Sequence, residues 1–127
     1  MKTGILAAIV ALGVAGAALA DPAVGTWKTQ VDDGAYAHVT IAQCGAALCG
    51  TIARTFKDSG EYKSGNIGKK LVWDMQPAGS GAYDGGKVWQ PSTGKTYRSK
   101  MALSGNTLNV SGCVGPICKK QTWSRVN

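Results

Sequence analysis

From residue 24 onward the chain alternates apolar and polar side chains in short runs, each interrupted by Gly, Pro, Asp or Asn. Period-two alternation bounded by such residues predicts β-strands over 24–30, 35–44, 48–56, 70–75, 86–90, 95–103, 106–113 and 118–126. The connections at 32–34, 45–47, 91–94, 104–106 and 114–117 are short, which makes consecutive strands antiparallel neighbours. Two stretches rich in Gly and polar residues, 57–69 and 76–85, predict longer loops. No segment carries a helical repeat, so the pattern predicts an all-β fold, an eight-stranded antiparallel up-and-down β-barrel.

Successive side chains of a strand point to opposite faces. Alternation therefore assigns Trp27, Val39, Ile41, Leu48, Ile52 and Phe56 to the interior, followed by Leu71, Trp73, Met75, Tyr97 and Met101, and then by Leu103, Leu108, Val110 and Trp123. The same parity turns Arg54, Ser99, Lys119, Gln121 and Arg125 inward. At 86–90, Val88 and Trp89 compete for the core.

The first twenty residues have a different character. Lys2 precedes an apolar stretch from Ile5 to Leu19, and Ala18-Leu19-Ala20 stands just before Asp21. This is the pattern of a secretory signal peptide cleaved after Ala20, with too few strongly apolar residues for a bilayer span. The expected product is one domain, 21–127, periplasmic or secreted. Loss of Lys2 takes the net charge from +7 to about +6, a surplus that favours weak contact with anionic envelope surfaces. The basic residues are scattered, without the run or aromatic interleaving of a nucleic-acid groove.

All four cysteines lie in the predicted domain, at 44, 49, 113 and 118. An even count in an exported small domain predicts disulfides. A meander places the turns 45–47 and 114–117 at opposite ends of the barrel, about 25 Å apart, whereas a disulfide needs Cα atoms within about 7 Å. The expected pairs are therefore Cys44 with Cys49 and Cys113 with Cys118. A zinc site is the rival reading, disfavoured by the spacing and by an oxidising compartment.

Four ordered motifs carry a resemblance: Gly25-Thr26-Trp27; Cys44-Gly45-Ala46-Ala47-Leu48-Cys49-Gly50-Thr51-Ile52; Trp89-Gln90-Pro91-Ser92-Thr93-Gly94-Lys95-Thr96-Tyr97; and Gly112-Cys113-Val114-Gly115 with Thr122-Trp123-Ser124-Arg125-Val126. Across the whole predicted domain the chain resembles the exported bacterial family catalogued as domain of unknown function 2147. Gly65-Asn66-Ile67-Gly68 stands where members of that family tend to carry an Asn-Pro-containing segment. The resemblance implies a lipocalin-like or calycin-like barrel, in which the Trp of Gly-x-Trp plugs the closed end and a late Arg stacks across it. Trp27 and Arg125 take those structural roles here. Turns 45–47 and 104–106 then mark the closed end, and loop 57–69 is a candidate lid over the mouth.

With one end open, an interior lined by Phe56, Trp73, Tyr97, Met101 and Gln121 would suit a small hydrophobic or amphipathic ligand, and Arg54 and Lys119 at the mouth would hold an anionic head. Alternatively the barrel is filled and acts through outward Lys28, Arg98, Lys100 and Lys120 on an envelope protein, glycan or anionic membrane. No catalytic, metal or cofactor site is expected. His38, the single histidine, lies on the outer face, and Gly94-Lys95-Thr96 reads as a turn because the glycine a phosphate-cradling loop needs is replaced by Trp89. Monomer and dimer are both compatible with the sequence.

Overall fold

The computed structural model describes residues 20–127; the leader reading concerns residues before that range. Nine strands run in chain order: β1 (Gly25–Lys28), β2 (Ala35–Cys44), β3 (Ala47–Lys57), β4 (Gly60–Tyr62), β5 (Lys70–Gly79), β6 (Ala82–Gln90), β7 (Lys95–Ser104), β8 (Thr107–Val114) and β9 (Ile117–Arg125). Eight of them form a closed antiparallel barrel in which each strand pairs with the next and β1 joins β9. The ninth, β4, extends only the end of β3, from Thr55↔Tyr62 to Lys57↔Gly60. Loop 57–69 therefore begins as a hairpin folded against the barrel wall.

The stretch 76–85 is not a loop. β5 runs to Gly79, β6 starts at Ala82, and Ser80 and Gly81 turn between them. Proline is tolerated in a strand where no ladder needs its missing N–H. Pairing of β5 with β3 ends at Leu48↔Met75, so Pro77 lies where the outer edge of β5 has no partner.

Both disulfides form as expected, Cys44–Cys49 and Cys113–Cys118, with Cα atoms 5.8 and 4.1 Å apart. With every described cysteine paired, no thiolate is left for zinc. Each bond staples one hairpin, β2–β3 at one end of the barrel and β8–β9 at the other.

The sealed end is built around Trp27, which is fully buried with Trp123, Leu108 and Met75. Its indole N–H donates to the Ala23 carbonyl at 2.9 Å, and the Arg125 guanidinium lies 4.3 Å from its ring. Arg125 also donates to the carbonyls of Pro22 (2.7 Å) and Val24 (3.4 Å) and to Asn106 Oδ1 (3.1 Å). One cation thus ties residues 22–24, β9 and the β7–β8 turn across the floor. Gly25 leads this plug because a Cβ there would sit 2.5 Å from the Asn127 carbonyl oxygen, and its φ of +143° disfavours any other residue. The buried Tyr83, which the loop reading of 76–85 leaves out of the core, donates its hydroxyl to Asp21 Oδ1. Burial and this carboxylate together hold its phenol protonated, well above the ordinary range.

Removing the plug should be costly. Trp27→Ala is expected to lose about 3–5 kcal/mol, and Arg125→Ala about 1–3 kcal/mol through lost cation–π attraction and hydrogen bonds. Urea unfolding followed by fluorescence measures both, and midpoints unchanged from the parent would show that neither side chain seals this end.

Candidate functional site

The other end is open and leads into a cavity of about 680 Å³. Trp123 and Val110 form its floor, and Ile52, Leu71, Val88 and Tyr97 line its sides. The space exists because inward positions near this end are small. Ala37 and Thr55 stand on β2 and β3, and Gly112 on β8 lets Val88 and Tyr97 pack close against the wall, where a Cβ would already be in contact at 3.4 and 3.5 Å.

The polar groups of the cavity are fixed by hydrogen bonds. Trp123 Nε1 donates to Gln121 Oε1 at 3.0 Å, which orients the carboxamide and turns its NH₂ away from the indole. Buried Thr55 donates to the Tyr62 carbonyl at 2.5 Å and accepts from the Ser64 amide, so the β4 hairpin that brings Tyr62 and Asn66 to the cavity is anchored from beneath. Lys119 and Lys120 stand at the rim on β9.

A strap crosses the opening. Residues 29–34 leave the seam after β1, and Gln30 Oε1 accepts from the Thr122 amide of β9 at 2.9 Å. Two residues on, Asp32 Oδ2 accepts from Ser92 Oγ at 2.8 Å and Gln90 Nε2 at 3.2 Å. The β6–β7 turn that supplies those donors lies on the opposite side of the barrel from the β1–β2 connection. The segment spanning the mouth is therefore this one, while 57–69 contributes a wall.

Of the residues expected to bind ligand, Tyr97, Lys119 and Gln121 line the cavity. Met101 is inward but packed beneath it in the core, paired with Tyr83 and Val110. Arg54, Phe56 and Trp73 do not reach it. Between Val39↔Ile52 and His38↔Arg54, β3 gains one residue, Ala53, and this bulge reverses the parity of the residues beyond it. Thr55 turns in, and Arg54 and Phe56 turn out. On β5, register shifts against β3 and a left-handed Asp74 (φ 55°) place Val72 and Met75 inside. Trp73 lies instead in a shallow outer hollow beside Cys44, Cys49, Lys70 and Asp74. Sequence reasoning misses the strap, Tyr62 and Asn66, because they fall inside stretches that read as strand end or loop.

The residues turned outward form a cluster of their own. Tyr36 and Phe56 stack with centroids 4.9 Å apart, and His38 lies 4.6 Å from Phe56. Lys28 caps Tyr36, and Arg54 lies over Phe56 while holding Glu61 in a two-pronged ion pair at 2.8 and 2.6 Å. Glu61 sits on β4, so this pair clips the hairpin to the outer wall. Its carboxyl is held below the ordinary range chiefly by the hydrogen bond from Arg54. Burial, then the charges of Arg54 and Lys28, lowers the His38 pKa, with Glu61 opposing.

A closed eight-stranded antiparallel barrel, sealed by a Trp at one end and open to a cavity at the other, is lipocalin-like. A solved structure described as "Protein HP1028 from the human pathogen Helicobacter pylori belongs to the lipocalin family" is similar to it, with a TM-score of 0.65, 82% of each chain covered and 19% sequence identity, a likeness of fold. Residues 25–125 match the family described as "Uncharacterized protein conserved in bacteria (DUF2147)", and the chain belongs to that family. No curated protein matches the sequence.

The outer ion pair makes a checkable pH statement. Because folding lowers the His38 pKa, its contribution to stability is complete above the ordinary 6.5 and is lost as pH falls through the folded value. Arg54→Ala removes a neighbouring cation and frees Glu61, so the His38 midpoint should rise. An NMR titration of its ring protons measures this, and an unmoved midpoint would show that the pair is not held against the histidine in solution.

Proposed function

We propose that this protein binds a small, elongated amphipathic molecule with an anionic head in the cavity at its open end. The observation that carries the reading is the polarity of that cavity: an apolar floor at Trp123 and Val110, and charged groups only at the rim, with Lys119 and Lys120 on β9 and Asp32 and Asp33 on the strap. Its volume lies within the range of about 300–1,000 Å³ found for small-molecule sites. The tail would lie against Ile52, Leu71 and Val88. The head, a carboxylate or phosphate, would sit near Lys119 and Lys120 with the Gln121 NH₂ as a further donor. The role that parity alone gives to Arg54 thus passes to lysines across the seam from it. The leader-like first twenty residues and two disulfides support action in the bacterial envelope or outside the cell.

Binding can be measured with cis-parinaric acid, whose fluorescence rises on entering an apolar site, and with the corresponding neutral alcohol. Val110→Trp should fill the cavity and abolish binding of both. Lys119→Gln should weaken the acid by about fivefold, the upper range for an exposed charge pair, and leave the alcohol nearly unchanged. Failure of the parent to bind either probe, or binding untouched by Val110→Trp, would refute the cavity as the site.

A further inference from the structure

We infer that the open end of the barrel seats on the surface of an anionic lipid bilayer. Turn tips in soluble domains are ordinarily polar, yet the β8–β9 turn reads Val114-Gly115-Pro116-Ile117 and carries no polar side chain. Val114 is 67% and Ile117 71% exposed, and Val31, at the crown of the strap, is 59% exposed. All three border the same opening.

The turn is held in this presentation. Cys113–Cys118 closes its base, Val114 and Ile117 form the last pair of the ladder, and Arg98 Nη2 donates to the Gly115 carbonyl at 2.5 Å. The backbone of the tip is fixed by these three contacts, so little further ordering is needed when its side chains are covered.

Charge decides what covers them. Lys119 and Lys120 come directly after the turn, and Lys95 and Arg98 start the neighbouring β7. Among the described residues the one ion pair is Arg54–Glu61, so these four cations have no carboxylate within salt-bridge distance. The strap carries two acids, Asp32, which is held by Ser92 and Gln90, and the exposed Asp33, so the basic side of the rim is the one formed by β7 and β9. The turns of the sealed end, at 45–46, 80–81 and 105–106, contain no charged residue. The apolar tip and the unpaired cations of β7 and β9 thus stand side by side at the open end. A soluble anion would need the lysines alone, and an apolar protein partner the tip alone. An anionic bilayer takes both, with apolar side chains below the headgroups and cations level with them. Docking stands on the rim and does not require the cavity to hold a ligand, although it would set the opening against the phase in which an amphipathic anion dissolves.

Vesicle flotation tests this with phosphatidylcholine alone and with about one quarter phosphatidylglycerol, the latter giving a negative surface potential. The protein should bind the anionic vesicles and lose that binding at high salt. Val114→Ser with Ile117→Ser should weaken partitioning by about tenfold or more, and Lys119→Gln and Lys120→Gln by about fivefold each. These positions are exposed, so thermal unfolding should stay at the parent value. Ile117→Trp should show blue-shifted emission on anionic vesicles. Equal binding by the serine double variant, or a Trp at 117 that still reports water, would overturn the inference. So would a lipid-free dimer abolished by the same two serines, which would assign the face to a second copy. If cis-parinaric acid fails to bind in free solution while flotation succeeds, the ligand reading falls and docking stands.

Discussion

The barrel depends on a seam four residues long. β1 makes four register pairs with β2 but only Trp27↔Arg125 and Lys28↔Ser124 with β9. A sheet that fails to close leaves two rows of unpaired N–H and C=O groups, and closure removes both. Here residues 126 and 127 extend the zipper along the start of β1: the Thr26 amide donates to the Asn127 carbonyl at 2.9 Å, and the Val126 amide donates to the Thr26 carbonyl at 2.8 Å. Above β1 the backbone has already turned away, and the Gln30 side chain serves as the acceptor for Thr122. A side chain thus substitutes for a strand where continued pairing would have carried the chain straight up the wall.

The same brevity separates the two ends. Below the seam, Trp27, Trp123 and Tyr83 fill the cylinder, and Arg125 binds the entering and leaving segments together. Above it, residues 29–34 are free to cross the mouth, and inward positions shrink to Ala37, Thr55 and Gly112. Four tryptophans in a domain this small suggest a filled interior, but only two lie in it. Trp73 sits outside, and Trp89 stands half-buried at the rim with Lys69 5.4 Å from its ring.

Most of the fold is legible because alternation is a local signal with a long-range meaning. It locates the eight barrel strands, and their short turns determine both neighbour order and cysteine pairing. A change of register is beyond its reach. Ala53 has nothing in its side chain to mark it as an extra residue, and the left-handed Asp74 sits in an ordinary apolar run. One unmarked residue inverts every later face. Arg54, an inward anchor by counting, is half of an outer clip, while Thr55 takes its place inside. Lys119 and Gln121 are placed correctly because the β8–β9 ladder runs from Thr107↔Ser124 to Val114↔Ile117 without a shift.

That difference bears on selectivity. An inward arginine would present a rigid planar fork that favours a carboxylate or phosphate held in two-point geometry. Lysines at the end of flexible stems supply charge without directional demand, and the oriented Gln121 carboxamide adds its NH₂ group below them. If the proposed ligand binds here, discrimination between head groups should therefore be weak. On the proposed reading, selection would fall to the shape of the apolar chamber: the distance from rim to Trp123 would limit the length of a tail, and the register partners Val88 and Tyr97, packed over Gly112, would limit its width. On the proposed reading, a site built this way would sort molecules by their hydrocarbon and admit a range of anionic ends.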